Sequence, residues 1–199
     1  MNYPEYVEIN GEKYKINTDF RVAIECNEIA LNPEIENYER ALAIIYKLFG
    51  EKGLNDFNNH QQLLDLAKKY LACGKEIKEE KEKPDMDYVE DMDYIEASFM
   101  SDYQIDLSST KMHWWKFNKL INGLSNSELG NCCVLNRIRN LRNFDLKSIK
   151  DPNEKAKIMK AKQQVALKRN IQLKKQPTEE QKKNAKDFLD AFGYGGDIK

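Results

Sequence analysis

Few side chains in this sequence could do chemistry: four cysteines, two histidines and a crowd of aspartates between Asp85 and Asp106. Cys26, Cys73, Cys132 and Cys133 follow no zinc-ligand spacing, and two are adjacent, which suits neither a simple disulfide nor a tetrahedral site. They read as buried, reduced thiols. A cysteine nucleophile would need His60 or His113 as its base, and no sequence context pairs them. Asp87, Asp91 and Asp93 could approach a divalent cation, but the glycine and terminal glutamate of a calcium loop are missing. Those carboxylates read instead as the solvent side of a helix. Gly193-Tyr194-Gly195-Gly196 is followed by no helix whose N-terminus could hold phosphate. The expectation is a protein that is no enzyme and uses no cofactor and no metal.

The most informative stretch is Lys111-Met112-His113-Trp114-Trp115-Lys116-Phe117, which holds both tryptophans and one histidine. A helix over about 110–124 would place Trp114, His113, Phe117, Leu120, Ile121 and Leu124 on one apolar face. Trp114 and His113 then read as core. Trp115 falls on the opposite face beside Asn118, Lys119 and Asn122. It calls for either a second packing layer or a partner.

The elements that must position these residues are mostly helical. Tyr6–Ile9 and Glu12–Ile16 alternate around Asn10-Gly11, the favoured two-residue hairpin turn, and give the one clear strand signal. A helix follows from a Thr18 or Asp19 cap to about Leu31, with Phe20, Ala23, Ile24, Asn27 and Leu31 on one face. A second, about 35–49, shows Tyr38, Ala41, Leu42, Ile45 and Phe49 and stops at Gly50. A third, about 56–73, shows Leu63, Leu64, Ala67, Tyr70 and Leu71 and stops at Gly74. Beyond a charged run, Tyr88, Met92, Ile95, Phe99 and Tyr103 step at helical spacing from Asp85 to Asp102. Ser125 with Glu128 forms a capping box for a helix over about 126–140. Its short turn from the preceding helix invites a helix-turn-helix reading, but Asn126-Ser127-Glu128 offers few basic contacts at the end that would enter a groove.

The fold class expected is mainly α, multi-helix, with an N-terminal β-hairpin. The expected organisation is a hairpin plus three-helix unit over 1–74, a charged linker over 75–84, and a helical unit with the tryptophan helix over 85–150. A basic helical arm with a short amphipathic helix, carrying Phe188, Leu189 and Phe192, completes it over 151–199. Charge is polarised along the chain: residues 1–106 carry 24 acidic and 12 basic side chains, whereas 107–176 carry 16 basic and 4 acidic. The two blocks would neutralise each other within the fold or between subunits, or the basic block would meet nucleic acid. No segment approaches the ~20 apolar residues of a membrane helix, and no signal peptide opens the chain, so a cytoplasmic protein is expected.

Asp93-Tyr94-Ile95-Glu96-Ala97-Ser98-Phe99, then Ile105-Asp106-Leu107, then His113-Trp114-Trp115-Lys116-Phe117 and Gly123-Leu124 give the chain a resemblance. In this order they resemble the bacteriophage Gp15 protein family of phages and prophages of Gram-positive bacteria. One departure is Gln104, where glycine commonly precedes Ile-Asp-Leu. The resemblance implies a tail assembly chaperone of the host bacterial cytoplasm. Such a protein holds the aggregation-prone tape-measure protein, the tail-tube protein, or both, without catalysis, and self-association is compatible with that role. The alternatives are a structural virion protein, such as a tail or head–tail connector component, and a basic-arm DNA-binding protein. Trp115, Lys119, Phe188, Leu189 and Phe192 are the expected partner-binding residues.

Overall fold

The computed structural model describes residues 3–76, 84–126 and 132–168. The architecture is mainly helical with one antiparallel hairpin, as the apolar spacing predicts. The described residues fall into two compact units. The first takes residues 3–76 together with 112–115, and the second takes 84–111, 116–126 and 132–168.

In the first unit β1 (Tyr6–Ile9) pairs with β2 (Glu12–Lys15), Tyr6 opposite Lys15 and Ile9 opposite Glu12. Asn10 (φ 51°) and Gly11 (φ 83°) supply the two positive φ values that a type I′ turn demands. Ile9, Tyr14 and Ile16 are buried and anchor the hairpin to its helices. α1 (Phe20–Leu31) is capped by Asp19, whose carboxylate accepts from the Arg21 N–H at 3.0 Å. α2 (Asn37–Leu54) continues past the stop expected at Gly50 through a non-helical kink at that residue. α3 (His60–Leu71) follows one 3₁₀ turn, Phe57–Asn59. The core is Phe20, Ala23, Ile24 and Cys26 from α1, Ile44, Ile45, Leu48 and Phe49 from α2, and Leu63, Ala67 and Tyr70 from α3. Helical spacing places Leu31 and Tyr38 on core faces, yet both are exposed. Each lies in the terminal turn of its helix, and in α2 the buried stripe runs instead through Ile44 and Leu48.

In the second unit α4 (Met92–Tyr103) starts later than the spacing from Asp85 suggests. Residues 87–90 form a turn in which the Asp87 carboxylate accepts from the Val89 and Glu90 N–H groups at 2.8 and 2.9 Å. α4 ends at Gln104, which adopts the left-handed conformation at φ 55°. α5 (Trp114–Asn122) begins in the first unit and continues in the second. α6 (Val134–Asn143) starts at a Cys133 cap rather than at the expected Ser125 box, and Glu128 lies outside the described residues. The Ser125 N–H instead donates to Asp102 at 2.7 Å, and its carbonyl accepts from Cys133 N–H at 3.0 Å. The close helix–turn–helix spacing is thus not formed between α5 and α6. α7 (Pro152–Gln164) is largely exposed, and Leu167 beyond it is buried. Phe99 and Phe117 stack at 5.3 Å in this core, with Ile95, Leu107, Ile121, Leu124 and Leu135 also buried.

Candidate functional site

The tryptophan pair acts first on the end of a helix. The last carbonyls of any helix lack intrahelical donors, and at α3 two of them receive indole N–H groups. Trp114 Nε1 donates to the Leu71 carbonyl and Trp115 Nε1 to the Tyr70 carbonyl, both at 2.9 Å. Neighbouring side chains thus cap neighbouring carbonyls. Backbone bonds hold the same segment to the start of α1: Phe20 N–H to the Met112 carbonyl, and Trp114 N–H to the Thr18 carbonyl.

His113 orients the pair. A backbone N–H can only donate, so Nδ1 of His113 accepts from Trp115 N–H at 3.0 Å. A carbonyl can only accept, so Nε2 carries the proton and donates to the Pro4 carbonyl, also at 3.0 Å. The ring stacks on Tyr3 at 4.9 Å and meets Tyr70 edge-on at 5.9 Å. Both nitrogens are committed to backbone, which leaves neither for acid–base work or a metal. This histidine is half-buried and acts as a cap, a more specific task than the core filling expected of it.

Trp114 is buried, as its face predicts. Trp115 is half-buried and stacks on Tyr70 at 6.1 Å, and the ring edge lies 3.1 Å from where a Cβ on Gly74 would stand. Gly74 is therefore required twice, by this approach and by its φ of 74°. The second packing layer expected as one option for Trp115 is present. Lys119, four residues along α5, is exposed. Phe188, Leu189 and Phe192 lie outside the described residues. The hydroxyl of Tyr70 is buried without a hydrogen-bond partner among the described residues, and burial pushes its pKa up.

The aspartates expected on a solvent face divide into two groups, and one of them is a correction. Asp91 is fully buried and receives Arg142 in bidentate geometry, at 2.6 and 2.7 Å. Asp87 is buried beside it and donates its N–H to Asp91 at 3.0 Å. Asp85 accepts from Arg139 Nε at 3.1 Å. The helix starts after Asp91, so these residues belong to a turn that folds inward onto α6. Two of the three arginines of α6 are thereby spent on acidic partners. Asp93 and Asp106 remain exposed.

Cys26 and Cys133 are buried, while Cys73 and Cys132 are half-buried, and all four are free thiols. Burial pushes the Cys26 thiol up to about 12. Among the described residues no group of three or more His, Cys, Asp and Glu is placed to hold a metal ion. No described helix is long and apolar enough to cross a membrane.

The first unit also presents apolar surface. Tyr6, Leu31, Tyr38, Tyr46 and Phe57 are large apolar side chains left exposed, Phe57 at 75%. Tyr46 also lines a groove of about 880 Å³ with Ile16, Val22, Phe49, Lys15 and Lys47. Helical spacing alone hid these residues, because a sequence stripe marks which positions share a face and not how much of that face is covered.

Comparison with curated proteins and with solved structures finds no match. The family model described as Bacteriophage Gp15 protein matches residues 2–167, a span that takes in the hairpin, all seven described helices and the tryptophan segment. The chain therefore belongs to the bacteriophage Gp15 protein family.

Proposed function

We propose that this phage protein is a tail assembly chaperone that works by protein–protein contact. Membership of the Gp15 family is the observation that carries the reading. The first unit supports it: exposed tyrosines, Phe57 and an open groove with a mixed apolar and charged lining offer adaptable contact area. The partner proposed is the tape-measure protein, the tail-tube protein, or both, in the host cytoplasm. Trp115, Lys119, Phe188, Leu189 and Phe192 remain the proposed contact residues, with Trp115 reachable by a partner only through its exposed part.

The arginine pairing weighs against DNA contact by α6. Phosphate contact needs available cations, and Arg139 and Arg142 already bind Asp85 and Asp91. The test is co-expression with fragments of the tape-measure protein. Raised solubility of those fragments, together with absence of the chain from purified virions, supports the chaperone reading. Unchanged solubility with the chain present in virions supports a structural virion protein instead.

A further inference from the structure

The hairpin carries a consequence independent of the chaperone reading. The pair next to the type I′ turn, Ile9 and Glu12, is hydrogen-bonded, so bonded pairs alternate along the ladder. Val7–Tyr14 is the next bonded pair, and Ile16 N–H to the Glu5 carbonyl at 2.8 Å is the one after. Tyr6 and Glu8 therefore aim their backbone N–H and C=O groups away from β2, and Lys13 and Lys15 aim theirs away from β1. The two edges differ in what meets them. On the β2 side the Lys52 ammonium donates to the Lys13 carbonyl at 2.9 Å, and the next residues continue onto α2 through Asn17 N–H to the Leu48 carbonyl. On the β1 side Tyr6 and Glu8 are exposed.

We infer that the β1 edge is an interface for a second copy of this chain, paired antiparallel about a two-fold axis through Val7. In that register Tyr6 of each copy forms a hydrogen-bonded pair with Glu8 of the other, using every outward-aimed backbone group of the central residues. Val7, half-buried, lies against its own counterpart on the face that carries Tyr14 and Ile9. On the solvent face the side chains run Lys15, Tyr6, then Glu8 and Lys13 of the second copy, so no like charges stand opposite one another. The equivalent pairing of β2 about Tyr14 would set Lys13 against Lys15 twice, which like-charge repulsion disfavours. The register of charges thus selects β1, and a self-complementary edge closes at a dimer. The single edge pairing buries a small area, which makes the dimer weak, with a Kd on the order of 0.1 mM.

Sedimentation equilibrium of the full chain up to about 1 mM tests this, with Tyr6→Glu and Tyr6→Lys as variants. Tyr6 is 53% exposed, so both variants keep the monomer fold, which circular dichroism checks. Tyr6→Glu sets one carboxylate against Glu8 of the other copy in each of the two symmetric pairs and weakens the dimer by roughly tenfold, whereas Tyr6→Lys tightens it. Amide exchange at high concentration protects Tyr6 and Glu8 and leaves Lys15 unchanged. A monomer throughout the range, assemblies larger than a dimer, equal effects of the two variants, or protection at Lys15 instead would each overturn the inference.

Discussion

Replacing Arg142 by Met tests the buried ion pair of the second unit most sharply. The Asp91 side chain is 1% exposed and that of Arg142 is 10% exposed, so little solvent screens them. Arg142 supplies both its terminal nitrogens to Asp91, and it also donates to the Val165 carbonyl at 2.6 Å and the Asp85 carbonyl at 2.8 Å. Arg142→Met strands a buried carboxylate whose remaining bond is the Asp87 N–H, and it leaves two carbonyls short of a donor. Breaking a buried pair from one side costs about 3–5 kcal/mol. That is a large share of the roughly 5–15 kcal/mol by which a domain is stable. The double variant Asp91→Leu with Arg142→Met removes both charges, so it costs less than Arg142→Met alone, and the two single changes couple by about 2–3 kcal/mol. The exposed pair Asp65–Lys68 is the control, where Lys68→Met changes stability by about 0.5 kcal/mol or less. Urea unfolding, read as midpoint and slope, compares the four variants with the parent protein. A loss below about 1 kcal/mol for Arg142→Met, or additive single changes, would refute the reasoning, because that is how a solvated pair behaves.

Other perturbations follow from the same geometry. Gln104→Gly relieves a side chain held at φ 55° and raises stability by about 0.5–1 kcal/mol, seen as a higher unfolding midpoint. Trp115→Phe keeps the stacking surface but removes the N–H bonded to Tyr70, costing about 1 kcal/mol, while Trp115→Ala costs more than twice that by thermal unfolding. The backbone N–H of Ser125 holds the Asp102 carboxyl below the usual carboxylate range. Its folded pKa is depressed, so this contribution is present above the unfolded value of about 3.9 and fades as pH falls through the lower folded value. Asp102→Asn therefore flattens the acid limb of the stability–pH curve. With its thiol pushed up to about 12 and buried, Cys26 stays unmodified by iodoacetamide at pH 8 in the folded protein, as mass spectrometry of tryptic peptides reports.

What could be read in advance was local. Asn10-Gly11 dictates the hairpin turn from two residues, and the three- and four-residue steps through Leu63, Ala67 and Tyr70 mark the buried face of α3. Trp114 reads as core from its apolar neighbours on the same helix, and it is buried. The tasks of Trp115 and His113 were hidden, since their acceptors, Tyr70 and Pro4, lie 45 and 109 residues away in sequence. Asp91 looked like one more exposed acid because its partner is 51 residues downstream. Periodicity also carried the aspartate helix too far toward its N-terminus, where the Asp87 turn competes successfully with the helix for backbone N–H groups. Exposure was the least legible property: nothing local in Tyr38, Tyr46 or Phe57 distinguishes a covered aromatic from an open one.

The proposed role is to serve tail assembly by keeping a partner soluble. Removing its gene from the phage and fractionating the lysate tests this most directly. The expected result is that the tape-measure protein moves to the insoluble fraction and that heads accumulate without tails, with both defects restored by the chain supplied from a plasmid. Full-length tails in its absence, or a tape-measure protein that stays soluble while tails fail, would contradict it.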